Sequence, residues 1–132
     1  MPRSILVVDN VVTNRILMRV RLSEAHHRVL QAETAEQALA LARSDGPDLV
    51  ILSLDVSNAL ELCRALRAGP ATAEIPIIVI GAEERRLEAL QAGANACLSR
   101  PFNESLLQAH LRHLIRARQS LSDLRLREAT NR

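Results

Sequence analysis

The stretch LVILSLDVSNALEL, residues 49–62, joins a continuous apolar run to a helical pattern and places Ser53 and Asp55 at the junction. A short apolar run without alternation is typical of a strand that is buried on both faces of a parallel sheet. In such sheets the carboxyl ends of the strands open on the ligand crevice. Ser53 could therefore be a nucleophile, the remnant of a lost site or an ordinary strand end.

The alternation of apolar strand and helix extends along the chain in both directions. Five strands are predicted at Ser4–Val8, Arg28–Ala32, Asp48–Ser53, Ile75–Ile80 and Ala94–Leu98. Helical patterns separate the strands, and the first of them places Ile16, Leu17 and Val20 on one face. This order predicts an α/β fold with three layers, in which helices cover both faces of a doubly wound, five-stranded parallel sheet.

Local signals indicate where the helices begin and end. Capping residues predict helix starts at Thr34, at Asn58 and at Asn103, after Pro101. The Gly-Pro dipeptides at residues 46–47 and 69–70 are expected to end the second and third helices.

The composition describes one domain with an aliphatic core. The chain has 132 residues, of which 48% are hydrophobic, and Phe102 is its only aromatic residue. The apolar runs are too short to span a bilayer, so no membrane association is expected. Cys63 and Cys97 lack a CxxC or metal-binding spacing, which favours buried, reduced thiols in a cytoplasmic protein.

Charge is distributed unevenly along the chain, which contains arginine but no lysine. Residues 1–99 carry ten arginines against twelve acidic residues, whereas residues 100–132 carry seven against three, a net charge of +4. A basic segment can contact nucleic acid or an anionic membrane. Because stacking aromatics are missing and acids are interleaved, a solvated helix face is the preferred interpretation, without a nucleic-acid partner.

Four motifs resemble the strand motifs of response-regulator receiver domains, in order and at compatible spacing over residues 3–117. They are ILVVDN (5–10), PDLVILS (47–53), IPIIVIGA (75–82) and AGANACLSRPF (92–102). The resemblance implies a flavodoxin-like, CheY-like sheet with strand order 2-1-3-4-5. The tail LSDLRLREATNR (121–132) further resembles the stretch after the first receiver of PleD-type diguanylate cyclases. We therefore expect a receiver-like domain at residues 1–117 and a helical extension at residues 118–132 that leads towards a downstream domain.

The resemblance also implies a phosphoacceptor pocket. In the family, two acidic residues after the first strand and an aspartate after the third hold Mg²⁺, and that aspartate accepts a phosphoryl group from a kinase phosphohistidine. A hydroxyl residue after the fourth strand and a lysine before a cis proline hold the phosphate. The corresponding positions here are Asp9, Asn10, Ser53, Gly81 and Arg100.

Only Asp9 matches that pattern, so we expect a degenerate pocket that binds Mg²⁺ weakly or not at all and needs no cofactor. A serine hydroxyl needs an adjacent base to act as a nucleophile, and no histidine lies near a strand end. Ser53 is therefore interpreted as a vacancy. Arg100 is expected to pair with Asp9 or Asp55, and its bond to Pro101 is expected to be cis.

Several alternatives remain open from the sequence. Asp55 could serve as a displaced phosphoacceptor, or the neutral pocket could sense a small metabolite. The chain has no G-x-S-x-G elbow, which counts against a hydrolase. It also has no glycine after the first strand, which counts against a dinucleotide-binding domain. His110 and His113 have a spacing that can chelate a metal but no third ligand, and His26 and His27 lie in a turn.

The sequence thus predicts a non-enzymatic pseudo-receiver that acts by protein–protein contact or dimerisation, as the N-terminal module of a PleD-like protein. A second receiver and a GGDEF cyclase domain are expected downstream, and a histidine kinase stays open as a partner. Leu114, Leu121 and Leu124 are spaced by seven and three residues, which suits a short two-helix seam. An isolated helical extension of this length is marginal in water, so it should be ordered only against a partner.

Overall fold

The computed structural model describes residues 3–130, in which five strands alternate with five α-helices. The strands are β1 Ser4–Val8, β2 Arg28–Ala32, β3 Leu49–Ser53, β4 Ile77–Ile80 and β5 Ala96–Leu98. The helices are α1 Val12–Glu24, α2 Ala35–Asp45, α3 Ala59–Ala68, α4 Arg86–Ala92 and α5 Glu104–Thr130, and a single 3-10 turn at Glu83–Arg85 precedes α4. The predicted alternation is confirmed, although β3, β4 and β5 begin one or two residues later than predicted.

All neighbouring strands are parallel, and their order is β2-β1-β3-β4-β5, as predicted. The register aligns Val8 with Leu52, and Ser53 with Ile80, which in turn pairs with Leu98. The carboxyl ends of β1, β3, β4 and β5 therefore meet at one edge of the sheet. The strand order reverses next to β1, which is where an open α/β sheet forms its ligand crevice.

Alternate strand residues face two hydrophobic cores, one on each side of the sheet. Leu6 and Val50 belong to the core that α2, α3 and α4 cover. Ile5 and Ile51 belong to the core that α1 and α5 cover. Because β3 is buried along its whole length, it has the continuous apolar sequence that predicted the fold.

The first helix buries a face that its apolar pattern does not reveal. Ile16, Leu17 and Val20 share a face, as predicted, but each is 45–55% exposed. The buried face instead carries Arg15, Met18 and Leu22. A long side chain that satisfies its charged head with hydrogen bonds can be buried in this way, so the charge of Arg15 does not prevent it from facing the domain.

Two of the three predicted helix caps are confirmed. Thr34 accepts a hydrogen bond from the amide of Gln37 at 3.1 Å, and Asn103 accepts one from the amide of Ser105 at 2.7 Å. The helix start predicted at Asn58 is also confirmed, since α3 begins at Ala59, but the backbone of Asn58 is left-handed (φ 64°) and its side chain makes no capping hydrogen bond. Asparagine adopts the left-handed conformation more readily than most residues, which explains its presence at this turn.

One guanidinium joins the connections on either side of β4. Arg67, on α3, donates to the carbonyls of Ala73 (3.0 Å), Ile75 (2.7 Å) and Gly93 (3.0 Å) and to the side-chain carbonyl of Asn95 (2.7 Å). Partial burial lowers the pKa of Arg67. Gly93 has φ +121°, and a Cβ there would lie 2.7 Å from Cγ of Arg67, so the position requires glycine.

The last helix continues to Thr130 without a break at the predicted boundary between residues 117 and 118. Arg118 donates to two carbonyls of the α2–β3 connection, the nearer at 3.1 Å, and Arg125 forms an ion pair with Glu74. The extension is therefore helical, as predicted, and contacts its own domain through Arg118 and Arg125. Residues 131–132 of the predicted extension lie outside the described residues. Within residues 3–130, none of the helices has the length and hydropathy to cross a bilayer.

Candidate functional site

The residues that follow the strands meet at the carboxyl edge of the sheet. Asp9 and Asn10 follow β1, Ser53 ends β3, Gly81 follows β4 and Arg100 comes shortly after β5. A cavity of about 510 Å³ opens beside them. Its wall is formed by Asp55, Ile80, Gly81, Ala82, Glu83, Glu84, Ser99 and Arg100.

Asp9 is buried, and both of its carboxylate oxygens are occupied. Oδ1 accepts a hydrogen bond from the amide of Val11 at 2.9 Å, and Oδ2 accepts one from the guanidinium of Arg100 at 3.1 Å. Arg100 therefore pairs with Asp9, one of its two predicted partners, and not with Asp55. The bond between Arg100 and Pro101 is cis, as the resemblance implied.

Ser53 is buried and serves the turn that follows β3. Its Oγ accepts a hydrogen bond from the amide of Asp55 at 3.2 Å. No histidine among the described residues lines the cavity, and Ser53 itself does not line it. The cavity therefore offers no histidine base that could activate this hydroxyl, which argues against a serine hydrolase of the usual kind.

Gly81 leaves room that a neighbouring leucine occupies. A Cβ at this position would lie 2.5 Å from Cδ1, 2.9 Å from Cγ and 3.1 Å from Cβ of Leu54. Leu54 is only 6% exposed and belongs to the core beneath α3. Any side chain at position 81 therefore requires Leu54 to move or to become smaller.

Asp55 lies in the turn after β3 and is exposed. Its carboxylate lines the cavity together with Arg100, while its backbone carbonyl accepts a hydrogen bond from the side-chain amide of Asn10 at 3.3 Å. Because β3 ends at Ser53, the period-two argument that placed Asp55 beside Ser53 does not apply. Asp55 still lines the cavity.

Two residues that shape the site were missed in the sequence. Arg15 is 8% exposed and donates to the backbone carbonyl of Asp9 at 2.7 Å, which fixes the start of the β1–α1 connection. Its guanidinium also lies 3.5 Å from the carboxylate of Glu33. The signal available in the sequence was the position of Arg15 itself, in the first turns of the helix that follows β1. No local signal marks Leu54 as the residue that occupies the space beside Gly81.

The residues present do not fit a resident Mg²⁺ ion. This cation prefers carboxylate ligands and keeps several waters. Of the three positions that would bind it, only Asp9 has a carboxylate, and the guanidinium of Arg100 contacts one of its oxygens. Among the described residues, no group of three or more histidine, cysteine or acidic side chains is placed to hold a metal ion.

The other candidate residues lie away from this site. Burial raises the pKa of the Cys63 thiol to about 11 and also raises that of Cys97, so both are protonated at neutral pH. His110 lines a separate cleft between β5 and α5. His26 has a left-handed backbone at the turn before β2, where His27 follows it.

A doubly wound sheet in the order 2-1-3-4-5, with an aspartate, a cation and a cis proline at its carboxyl edge, defines a receiver-type signalling domain. Residues 5–112 match the response regulator receiver domain, and the chain belongs to this family.

Curated relatives include complete response regulators. The chain is 33% identical over 137 aligned residues to the response regulator PleD of Caulobacter vibrioides, in an alignment that covers all of this chain and 30% of PleD. It is 33% identical over 119 residues to the phosphate regulon regulator PhoB of Pseudomonas aeruginosa, with 86% of this chain and 52% of PhoB covered. The chain thus spans about a third to a half of the length of these relatives.

Solved structures share the fold. The receiver domain of a sensor histidine kinase from Pseudomonas aeruginosa, solved with a magnesium ion in its active-site cleft, superposes with a TM-score of 0.80 at 26% identity, over 87% of this chain and 98% of that one. The chemotaxis response regulator CheY4 of Vibrio cholerae superposes with a TM-score of 0.79 at 24% identity, over 86% of this chain and 99% of that one.

Proposed function

We propose that this domain is a receiver that signals by protein–protein contact without aspartyl phosphorylation. The observation that carries the proposal is the occupied state of Asp9, whose carboxylate is bonded to Arg100 and to the amide of Val11. A buried serine stands where the acceptor would be, and Leu54 fills the space beside Gly81. The Arg100–Asp9 pair neutralises carboxylate charge that a metal ion would otherwise balance.

The proposal includes a place for this domain within a longer protein. The alignment with PleD covers the whole chain, including the long α5 extension, and this supports membership of a PleD-like protein, in which we place the domain at the N-terminus. A second receiver and a GGDEF cyclase domain would follow, and any diguanylate cyclase activity would lie in that part. The receiver itself is not catalytic. We propose a cytoplasmic location, in keeping with two-component signalling.

Incubation with acetyl phosphate and Mg²⁺ should leave the intact mass of the protein unchanged. The physical reason is that no carboxylate stands at position 53 and that Asp9 is paired with Arg100. Intact-mass spectrometry measures the result, with a phosphorylatable receiver domain as the positive control. Calorimetric titration with MgCl₂ should show negligible binding.

A gain of one phosphoryl group would contradict this proposal. If Asp55→Ala abolished the gain and hydroxylamine removed the phosphate, Asp55 would be a displaced acceptor. This second candidate function is favoured by one observation, the exposed Asp55 carboxylate in the same cavity as Arg100. A phosphate that resists hydroxylamine would indicate a serine ester.

A small-ligand sensor remains the third candidate for the same cavity. Its volume of about 510 Å³ falls within the range of roughly 300–1,000 Å³ that is typical of small-molecule sites. Saturation by a metabolite, with a chemical-shift change at Gly81 and Ser99, would support that function over a purely structural pocket.

As the first partner we propose a second copy of this chain, which would bind through α5. Leu121 and Leu124 are 41% and 54% exposed, whereas Leu114 packs partly against its own core. The seam is therefore reduced to the part of the helix beyond Arg118. Replacing Leu121 and Leu124 by serine should abolish weak self-association while leaving the domain folded, because neither side chain belongs to a core.

Light scattering over a concentration series measures this association. Leu87→Ser is the matched control, since Leu87 is 67% exposed on α4. Truncation after Ala117 is less specific, because it also removes the contacts of Arg118 and Arg125 with the domain. A monomer mass for the unaltered chain at every concentration would exclude the α5 interface, and loss of association in the Leu87 variant would move the interface to α4.

A further inference from the structure

A second polar cleft lies at the opposite edge of the sheet. It has a volume of about 220 Å³ and is lined by Arg3, His27, Arg112, Ile115, Arg116 and Gln119. Arg3 and His27 immediately precede β1 and β2, so the cleft opens at the amino ends of these strands, next to α5. It is separate from the site formed by Asp9, Ser53 and Arg100 at the carboxyl edge.

The cleft gathers more positive than negative charge, since Asp48 is the one acid near it within residues 3–130. Three guanidinium groups line it, and no acidic residue among those described does. Arg3 donates to the side-chain carbonyl of Gln119 at 2.6 Å, which orients both groups at the cleft wall. Asp48 is the acid that faces His27, but its carboxylate already accepts a hydrogen bond from the amide of Ser4 at 2.8 Å.

Arg112 and Arg116 are two of the three arginines that line the cleft. Both are exposed, stand one helical turn apart on α5, and form no ion pair with residues 3–130. By contrast, Arg15, Arg100 and Arg125 each contact a carboxylate. Like charges that share a cleft without a counter-charge repel one another, and a bound anion would relieve this repulsion.

His27 supplies an independent indication of a ligand. Its Nδ1 is buried, and it is the one such side-chain atom within residues 3–130 that lacks a hydrogen-bond partner. Buried polar atoms in folded proteins are nearly always satisfied, so the unpartnered Nδ1 of His27 leaves one hydrogen-bonding position open at the cleft. Burial and the Arg3 guanidinium lower the pKa of His27, and an anion would oppose that effect.

We propose that this cleft binds a small anion that carries one or two phosphate groups. The guanidinium group presents several N–H donors in a planar fork, which matches the oxygens of a phosphate. The volume of about 220 Å³ is smaller than a typical drug-sized pocket and suits a phosphate or diphosphate group. The basic character of residues 100–132 would then serve a defined site, in addition to solvation.

Pyrophosphate is the probe that tests the site. Isothermal titration should show saturable binding to the unaltered chain, measured against NaCl at matched ionic strength. The Arg112→Gln/Arg116→Gln variant should bind about tenfold more weakly, which is the scale expected for the loss of two exposed ion pairs. In spectra of the histidine rings, the signals of His27 should shift with pyrophosphate.

The control variant Arg19→Gln/Arg64→Gln loses the same charge from exposed positions on α1 and α3, and its affinity should stay within about twofold, since screening weakens distant charges. Equal weakening of both double variants would overturn the proposal in favour of diffuse attraction. Loss of binding in Arg100→Gln, with retention in the Arg112/Arg116 variant, would place the anion at the carboxyl edge and also overturn it. Cosedimentation with phosphatidylglycerol vesicles but no binding of pyrophosphate would show that the phosphate is a lipid headgroup and not a soluble anion.

Discussion

Ser53→Asp alone should remain nearly unlabelled by acetyl phosphate and Mg²⁺, and a combined variant should be labelled on the order of 100-fold faster. The single change adds a carboxylate next to Asp9 but provides no hydroxyl to hold the transferred group. It also leaves Asn10 in place of an acid. We expect Asn10→Asp and Gly81→Thr to be needed as well, since one well-placed transition-state donor is worth on the order of 10²–10³ in rate.

The structure adds a fourth substitution that the sequence did not indicate. A threonine at position 81 would clash with Leu54, because even its Cβ would lie 2.5 Å from Cδ1 of that leucine. Overpacking of this kind typically costs about 1–3 kcal/mol. The triple variant should therefore be more slowly labelled than the quadruple variant that also carries Leu54→Ala, in which the space beside position 81 is free.

Rates of phosphoryl incorporation, followed by intact mass, rank the single, triple and quadruple variants. Thermal unfolding of Gly81→Ala, with and without Leu54→Ala, isolates the steric contribution from the chemistry. If Ser53→Asp alone were labelled as fast as the quadruple variant, neither Leu54 nor the Arg100–Asp9 pair would obstruct the pocket. That outcome would leave the missing acceptor as the sole defect.

Arg67→Ala should lower the free energy of unfolding by about 3 kcal/mol, among the larger effects of a single substitution outside the core. The guanidinium donates to four acceptors, three of them backbone carbonyls in two different connections. Each hydrogen bond from a charged donor contributes roughly 1.5–3 kcal/mol, and partial exposure reduces the sum because water replaces some of them. The loss should appear as a lower denaturation midpoint with little change in slope.

Arg64→Ala is the matched control, because Arg64 is exposed on the same helix, one turn before Arg67. Its stability should change by less than about 0.5 kcal/mol. Arg67→Lys should recover less than half of the lost free energy of unfolding. A single ammonium group cannot reach all four acceptors that surround the planar guanidinium. Equal effects of the alanine substitutions at positions 64 and 67 would show that charge, and not the hydrogen-bond geometry, stabilises this region.

Much of the fold could be read from the sequence because its signals are local. The continuous apolar runs of β1, β3 and β4 predict a parallel sheet buried on both faces, and β3 is indeed buried at every residue. Thr34 and Asn103 act as caps because a cap depends on residues only two or three positions away. The polar residues after each strand likewise indicated the edge of the sheet at which the site lies.

The start of α1 shows where a local pattern misleads. Ile16, Leu17 and Val20 form the apolar face, yet the packed face includes Arg15, because the backbone carbonyl of Asp9 accepts a hydrogen bond from its guanidinium. The helix rotation depends on this hydrogen bond and on packing against two strands, neither of which contributes to hydrophobic periodicity. Asn58 similarly has the composition of a cap but adopts the left-handed conformation that the turn requires.

The sequence by itself determined the α/β class, the strand order by resemblance, and the set of residues at the carboxyl edge. Only the tertiary structure decided that Arg100 pairs with Asp9 and not Asp55, and that Leu54 blocks position 81. It alone also brought His27 beside Arg112 and Arg116. The physical reason is that hydrogen bonds and steric contacts act over a few ångströms between residues far apart in the chain, 91 positions for Arg100 and Asp9. Such distances follow from how the helices pack on the sheet, whereas composition and periodicity specify only which face of each element is apolar.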